Sequence, residues 1–207
     1  MSAESTKAAD LRVTELTIDH LDAWSALFAA CASDCFCRYW HFEGTKNDWL
    51  AQLALRPETN ERTQRERVIA HHAEAGGMLA FDGEVAVGWL KLVPRETVPK
   101  LRRLPVYRGL DLGDDEGVLS IGCLLTHPSY RRKGVARALV LGAIGAATRR
   151  GARALEAYPH VRSEALRDEE LWMGPASLFE ECGFSSLGGN TAYPVFRRTI
   201  GLPTTLE

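Results

Sequence analysis

The stretch VLSIGCLLTHPSYRRKGVARALVLGAIGAA, residues 118–147, decides the fold. Gly117–Thr126 is a short and nearly continuous apolar run, which predicts a central strand buried on both faces. Gly134–Arg150 predicts a helix, because cations fill its last turn and Gly151 follows at the position that favours a helix end. The short basic loop Pro128–Lys133 joins the predicted strand to the predicted helix.

This loop and the first helical turn predict an anion-binding site. Gly134 and Ala136 lack bulk, so the backbone N–H groups of the helix start can approach a ligand closely. Neither common phosphate-loop pattern, Gly-x-x-x-x-Gly-Lys-Ser/Thr or Gly-x-Gly-x-x-Gly, occurs in the chain. The alternative is that the loop is only a solvated basic turn. The residues that add positive charge are Arg131, Arg132, Lys133 and Arg137.

Outside this stretch, the period of apolar residues alternates between helix and strand values. The order predicts a mixed α/β fold with one central sheet. The further predicted strands are Leu11–Ile18, Met78–Phe81, Glu84–Val93, Ala154–Tyr158 and a pair within Phe184–Ile200 that turns at Gly188-Gly189-Asn190. The further predicted helices follow Asp19 and cover Lys46–Leu55, Pro57–Ala75 and Pro175–Cys182, with an irregular connection at Pro94–Asp115.

Length and composition set limits on the class of protein. The 207 residues, 45% apolar and 25% charged, predict a single domain over 1–207, with 1–10 as a flexible extension. A net charge of −2 gives no indication of nucleic-acid or membrane partners. No apolar run reaches the ~18 residues of a membrane span, and the first ten residues do not resemble a secretion signal. Five cysteines without an export signal favour a reducing, cytoplasmic location.

Two motifs give the chain a resemblance to the GNAT superfamily of N-acetyltransferases. The family's phosphate loop, Gln/Arg-x-x-Gly-x-Gly/Ala after a strand, is matched by Arg131, Gly134 and Ala136. The segment SLFEECGF, residues 177–184, is similar to the family's short helix that leads into Gly-Phe at the start of a strand. The order of elements agrees from about residue 11 to residue 200. The resemblance implies a single mixed, mostly antiparallel central sheet flanked by helices on both faces.

The resemblance also implies an activity, the transfer of an acetyl group from acetyl-CoA to a primary amine. In such enzymes the amine attacks the thioester directly, so that neither a metal nor a covalent intermediate is needed. The pyrophosphate of CoA binds the loop, and the pantetheine arm pairs with the preceding strand, here around Cys123–Thr126. The implied cofactor-binding residues are Leu124, Leu125, Thr126, Arg131, Arg132, Lys133, Gly134, Val135, Ala136 and Arg137.

The chain departs from the family pattern at the group that protonates the leaving thiolate. A tyrosine of the family corresponds to Phe179, which has no proton to donate, and a frequent asparagine is replaced near Trp172. An acid from elsewhere, or unassisted departure of the thiolate, is then required. The candidates for catalytic residues are Tyr158, Ser177 and Cys182 as acids and Glu156 as a base, each of which also has an ordinary structural explanation.

A cysteine-rich segment, CASDCFCRYWH at residues 31–41, allows three interpretations. Cys31, Cys35, Cys37 and His41 could offer ligands to zinc, although their spacing fits none of the usual structural sites. The segment could instead pack its apolar side chains over the sheet. In the resembled fold this region borders the acceptor pocket, which predicts that Tyr39, Trp40 and His41 line that pocket.

Three functional hypotheses follow from these observations. The first is an acetyl-CoA-dependent N-acetyltransferase that acts on a small-molecule or peptide amine. The second is a CoA-binding module with little turnover, and the third is a zinc or redox protein built on the cysteines. The sequence leaves open the acceptor, the acyl chain length, the acid and base, and whether the protein is a homodimer.

Overall fold

A computed structural model describes residues 11–107, 109–161 and 172–201 of the chain. In this part the strands form one seven-stranded sheet in the order β1-β2-β3-β4-β5-β7-β6. The strands are β1 (Arg12–Glu15), β2 (Gly77–Asp82), β3 (Val85–Pro94), β4 (Val118–Thr126), β5 (Ala154–Ala157), β6 (Ser185–Asn190) and β7 (Tyr193–Thr199).

All neighbouring strands pair antiparallel except β4 and β5, which run parallel. The β4–β5 pairing covers only Val118–Ile121 of β4. Residues 122–126 of β4 therefore extend past the last residue of β5. On its other side, β4 pairs with β3 through a register shift between Leu90 and Leu92, so that β4 carries an extra residue there.

Helices cover both faces of the sheet. They are α1 (Leu21–Ala30), α2 (Lys46–Leu55), α3 (Glu58–Ile69), the short α4 (Pro99–Arg102), α5 (Val135–Arg149) and α6 (Ala176–Glu181). One core lies between the sheet and the inner faces of α5 and α6. A second core packs α1 against the opposite face. The mostly antiparallel sheet with helices on both faces confirms the predicted fold class.

Two predicted elements differ from the structure. The helix predicted over Pro57–Ala75 ends at Ile69, because the chain turns at His71, whose φ is +51°. Gly188 and Gly189 lie within β6 rather than in the turn, beside a register shift between β6 and β7. The predicted flexible segment 1–10 lies outside the described residues. Within the described part of the chain, each helix is too short or too polar to cross a bilayer.

Candidate active site

A cleft of about 930 Å³ opens where β4 extends past β5. Its walls come from the end of α1 and the cysteine segment after it, from α2, from the start of α5 and from α6. It is therefore bordered by both of the segments that the sequence singled out. Among the residues that line it are Leu124, Leu125, Thr126, Arg131, Arg132, Gly134, Val135, Ala136, Arg137, Tyr39 and Trp40.

The exposed edge of β4 is the first feature of the cleft. Residues whose amide and carbonyl point toward the missing neighbour strand offer hydrogen bonds to an extended ligand. The amide of Leu124 is already used, since it donates to the carbonyl of Trp172 at 2.7 Å. The carbonyl of Thr126 accepts the thiol of Cys31 at 3.7 Å. An extended ligand therefore has to replace these contacts or bind beside them.

The start of α5 is the second feature. Gly134 occupies the N-cap position with φ +81°, and in the described part of the chain no atom lies within 4 Å of the place where its Cβ would stand. The first amide bonded within the helix belongs to Ala138, which donates to the carbonyl of Gly134 at 3.0 Å. The amides of Val135, Ala136 and Arg137 therefore come before the first intrahelical donor. Together with the left-handed Arg132 (φ +61°), this backbone has the form of an anion-binding nest.

The charges around this helix start suit a pyrophosphate. Arg131, Arg132 and Arg137 line the cleft, whereas Lys133 does not, and its ammonium lies 5.3 Å from the centre of the Tyr130 ring. The dipole of α5 adds positive potential at the same place. A side chain at position 134 would occupy the open space through which a ligand can reach the helix-start amides. The residues present therefore fit the pyrophosphate of a nucleotide cofactor.

The opposite wall of the cleft is aromatic. Trp40 stacks on Trp172 with ring centres 5.6 Å apart, and Tyr39 meets Trp40 and Trp49 edge to face. The indole N–H of Trp40 donates to the carbonyl of Gly122 at 3.2 Å, which fixes this wall to the extra residue of β4. The structure thus places Tyr39 and Trp40 at the cleft, as expected of pocket residues.

His41 is a different case, because it does not line the cleft. Its side chain is buried, and Nδ1 lies 2.9 Å from the carbonyl oxygen of Thr97. Nε2 is buried and has no hydrogen-bond partner among the described residues. Burial and the positive charges of Lys91 and Arg38 lower the pKa of His41 to about 2. It is therefore a neutral structural residue beside the pocket.

The predicted catalytic candidates Glu156 and Tyr158 lie away from the cleft, in a buried polar network. Glu156 Oε1 accepts from Arg95 Nη1 at 2.8 Å and from Arg197, and Oε2 accepts the hydroxyl of Tyr158 at 2.9 Å. The Tyr158 hydroxyl also lies 3.0 Å from Ser120 Oγ. Burial and the charge of Glu156 raise the pKa of Tyr158 well above its ordinary value. These contacts give both residues a structural role.

The other two candidates are no better placed. Ser177 is exposed on α6 and Cys182 is buried in the core against α5, and neither lines the cleft. Phe179 is wholly buried in the same core, with its ring 5.4 Å from that of Phe184. Its neighbour Leu178 lines the cleft instead. The structure therefore supports none of the four proposed catalytic residues.

Apart from Cys123, which belongs to the predicted cofactor strand, the cleft also contains residues that the sequence did not assign to it. Four cysteines line it, namely Cys31, Cys35, Cys37 and Cys123, and so do Lys46, Trp49 and Trp172. In the described residues, no three or more His, Cys, Asp or Glu side chains are grouped so that they could hold a metal ion. A lysine in the apolar run of β3, Lys91, was the one available signal for a polar site beneath these cysteines.

Solved structures with the same fold are numerous. The PaiA N-acetyltransferase of Thermoplasma acidophilum, solved in complex with coenzyme A, is 11% identical with a TM-score of 0.53 over 92% of this chain and 99% of that one. The Salmonella typhimurium protein YncA, solved with its cofactor acetyl-CoA, is 12% identical with a TM-score of 0.51 over 97% and 99% of the two chains. A GNAT acetyltransferase of Streptococcus pneumoniae is 16% identical with a TM-score of 0.54 over 93% and 100%.

The sequence comparisons add the family. No curated protein matches the chain. The profile of the acetyltransferase (GNAT) family matches residues 42–174, well over half of the chain. The matched region includes the open edge of β4 and the start of α5, whereas the cysteine segment before residue 42 lies outside it. The chain therefore belongs to the GNAT family of acetyltransferases and is an acyl-transfer enzyme.

Proposed function

We propose that the protein transfers an acetyl group from acetyl-CoA to a primary amine by direct attack of the amine on the thioester. The observation that carries this proposal is a single cleft that joins an anion-binding helix start to an aromatic pocket. The open edge of β4 connects the two. Because all three lie along one cavity, a donor and an acceptor can meet in it without a covalent carrier.

The start of α5 is assigned to the phosphates of CoA. The amides of Val135 and Ala136 supply hydrogen bonds, and Arg131 and Arg137 supply the positive field. The backbone of Leu124–Thr126 is assigned to the pantetheine arm. The pantetheine arm can accept the N–H of Leu124 only if the carbonyl of Trp172 moves away from it. The fold neighbours solved with CoA or acetyl-CoA support this choice of co-substrate.

The aromatic wall is assigned to the acceptor. Aromatic faces attract protonated amines and also pack against apolar groups. Tyr39, Trp40, Trp49 and Trp172 present such faces to the cleft. We expect a small-molecule or peptide amine with an apolar body, which loses its proton before it attacks. The domain would extend over 1–207 and act in the cytoplasm, with neither nucleic acid nor membrane as a partner.

The reaction needs few groups from the protein. The neutral amine forms a bond to the thioester carbonyl carbon, the C–S bond breaks, and the CoA thiolate leaves and takes a proton. The main contribution of the cleft is to hold the two reactants in line and to keep water from the thioester.

A panel of amines tests the proposal. Purified protein is incubated with acetyl-CoA and with aliphatic, aromatic and peptide amines, and free CoA and acetylated product are measured by chromatography and mass spectrometry. We expect an aromatic or apolar amine to give stoichiometric product and CoA. Binding of CoA by calorimetry without any product would instead favour a CoA-binding module with little turnover.

A further inference from the structure

Cys37 lies on the cleft floor in an unusual backbone conformation. Phe36 and Cys37 both have left-handed backbones, with φ of +46° and +53°. Residues other than glycine rarely adopt such angles, and two in succession persist only where the surrounding contacts determine them. The Cys37 side chain is nearly buried, lines the cleft and accepts the Trp89 indole N–H at 3.3 Å. The chain thus accepts backbone strain to hold this sulfur in place.

A buried cation lies next to Cys37. Lys91, in the middle of β3, is wholly buried, and its ammonium donates to the carbonyl of Glu74 at 2.6 Å. A buried ammonium is costly unless an anion compensates it. The carboxylate of Glu74 pairs with Arg38 at 2.8 Å and with Arg67 at 3.1 Å, so it is shared among several cations. Burial lowers the pKa of Lys91 to about 8, and ionised Cys37 is the largest of the influences that oppose this shift.

Each element packed around Cys37 contributes titratable or charged groups. Cys123 comes from β4 and Lys91 from β3, Cys35 and Arg38 flank Cys37 on its own segment, and Glu74 and the neutral His41 lie beyond Lys91. Burial alone raises the pKa of Cys37. The interaction with the Cys123 thiol, the charge of Lys91 and the Trp89 indole outweigh burial and lower the pKa, so the net shift is downward. The pKa of Cys123 is raised, by the same interaction and by burial. Of the two neighbouring thiols, Cys37 is therefore the one that ionises more easily.

We propose that Cys37 is the thiolate base of the acetyl transfer, held ready by Lys91 and Trp89, and that the Cys37–Cys123 pair returns the proton to the departing CoA thiolate. This inference rests on the proposed function. The cysteine segment lies outside the region matched by the family profile, so the assignment comes from the geometry of this chain. It also supplies the proton donor that the chain lacks at Phe179.

The protons balance over one cycle. The acceptor enters as an ammonium ion, and Cys37 Sγ takes one proton from it, which frees the nitrogen lone pair. The nitrogen then bonds to the carbonyl carbon of the thioester, and the C–S bond breaks with its electron pair on the CoA sulfur. One proton passes from the Cys37–Cys123 pair to that sulfur, and the second proton of the attacking nitrogen is released to solvent. The pair returns to its starting state without an oxidant or reductant.

The first experiment tests the thiolate itself. The ultraviolet absorbance of thiolate is recorded against pH for the wild type and for Cys37→Ser. Their difference should show a transition at least one pH unit below the value of about 8.5 for an ordinary cysteine. Lys91→Met, which keeps the side-chain length and removes the charge, should move this transition upward by at least one unit. A transition at or above the ordinary value in the wild type would overturn the proposal.

The second experiment tests the role as a base, with an amine that the protein acetylates. Cys37→Ser should lower kcat/KM at least tenfold at pH 7 with unchanged acetyl-CoA affinity. The deficit should shrink at pH 9, or with a weakly basic amine such as trifluoroethylamine, because such an acceptor is already neutral. Cys182→Ala removes a buried thiol outside the cleft and should behave like the wild type. A merely structural defect would not depend on the basicity of the acceptor.

The outcomes separate this inference from the function on which it rests. Wild-type rates for Cys37→Ser with every acceptor would overturn the base role and leave the transferase intact. Absence of transfer by the wild type to any amine would overturn both. If Cys37→Ser fails to fold, Lys91→Met takes its place in the same comparison, and its acid limb of kcat/KM should move to higher pH. An unchanged limb would count against the proposal.

Discussion

Gly134 combines two properties at one residue, a left-handed backbone and open space where a Cβ would stand. We predict that Gly134→Val weakens CoA binding by at least thirtyfold, about 2 kcal/mol, since the side chain blocks the approach to the helix-start amides. The positive φ adds a strain of about 1–2 kcal/mol to the folded state. Calorimetric titration of CoA into the variant measures the first effect, and urea denaturation measures the second.

The same helix supplies a matched control. Gly151 follows α5 at its other end, with φ +64° and open space around its Cβ position. Gly151→Val carries the same kind of strain, with the length of α5, about 22 Å, between it and the proposed phosphate site, so CoA affinity should stay within twofold of the wild type. Wild-type affinity in Gly134→Val, or equal losses in both variants, would refute the assignment of the phosphates to this helix start.

Glu156 gives the opposite prediction, an effect on stability and not on catalysis. Glu156→Gln leaves the buried Arg95 without its closest buried counter-charge, which should cost about 3 kcal/mol of folding free energy. Because the network lies outside the cleft, kcat of the folded variant should stay within twofold of the wild type. Urea denaturation and assays well below the unfolding temperature give the two numbers. Lost activity at wild-type stability would show instead that Glu156 takes part in catalysis.

Among single residues, those whose small size the backbone requires could be predicted from the sequence. The pattern of small residues at Gly134 and Ala136 identified the helix start, because an anion site of this kind requires space. Cys37, Cys123 and Lys91 were not predictable as a group. Their proximity depends on a bulge in β4 and on left-handed turns after α1, which leave no periodic signal in the sequence.

Among the elements, α6 shows what the missing tyrosine of the family means in this chain. Phe179 points into the core against α5 and passes close beneath Gly174, where a Cβ would lie 3.0 Å from its ring. We predict that Phe179→Tyr does not raise kcat and lowers stability by about 1–3 kcal/mol, because a hydroxyl is buried there without a designed partner. Steady-state kinetics and thermal unfolding test this. An increase in kcat would show that the hydroxyl reaches the cleft.

The elements with strong local signals were predicted closely, and those that depend on tertiary packing were not. β4 and α5 have long apolar runs and clear ends, and the structure gives them within a residue or two of the predicted bounds. The predicted end of α3 was wrong, because its charged sequence has almost no apolar face that would show where the packed helix ends. β6 includes two glycines because a bulge, and not a turn, absorbs them.

For the whole molecule, the different surroundings of the two sides of β4 determine where the cleft lies. The β5 side of β4 opens into the cleft beside the start of α5, whereas Lys91 of β3 lies beneath Cys37 and Cys123 on the side of the aromatic wall. The extra residue in β4 lies at the junction of the two, and Trp40 is bonded to it at Gly122. A single irregularity in the sheet thus lies where the open edge of β4, the aromatic wall and the two cysteines meet around one cleft.

His41, which lies beside the aromatic wall, makes the stability of the folded molecule depend on pH. Its pKa is about 2 in the folded protein, because burial and the nearby cations oppose protonation, against about 6.5 in an unfolded chain. Below pH 6.5 the unfolded state therefore binds more protons, and unfolding becomes easier as the pH falls. We predict a loss of about 1.4 kcal/mol per pH unit from this residue between about pH 6 and pH 3.

His41→Gln, whose amide can still donate to the carbonyl of Thr97, should lack this contribution. Urea denaturation of both proteins at pH 7.5 and pH 5 isolates it, since the carboxylates titrate alike in the two. Parallel stability losses in the two proteins would show that His41 becomes protonated without unfolding, with Glu74, 3.5 Å away, as the partner that accepts its charge.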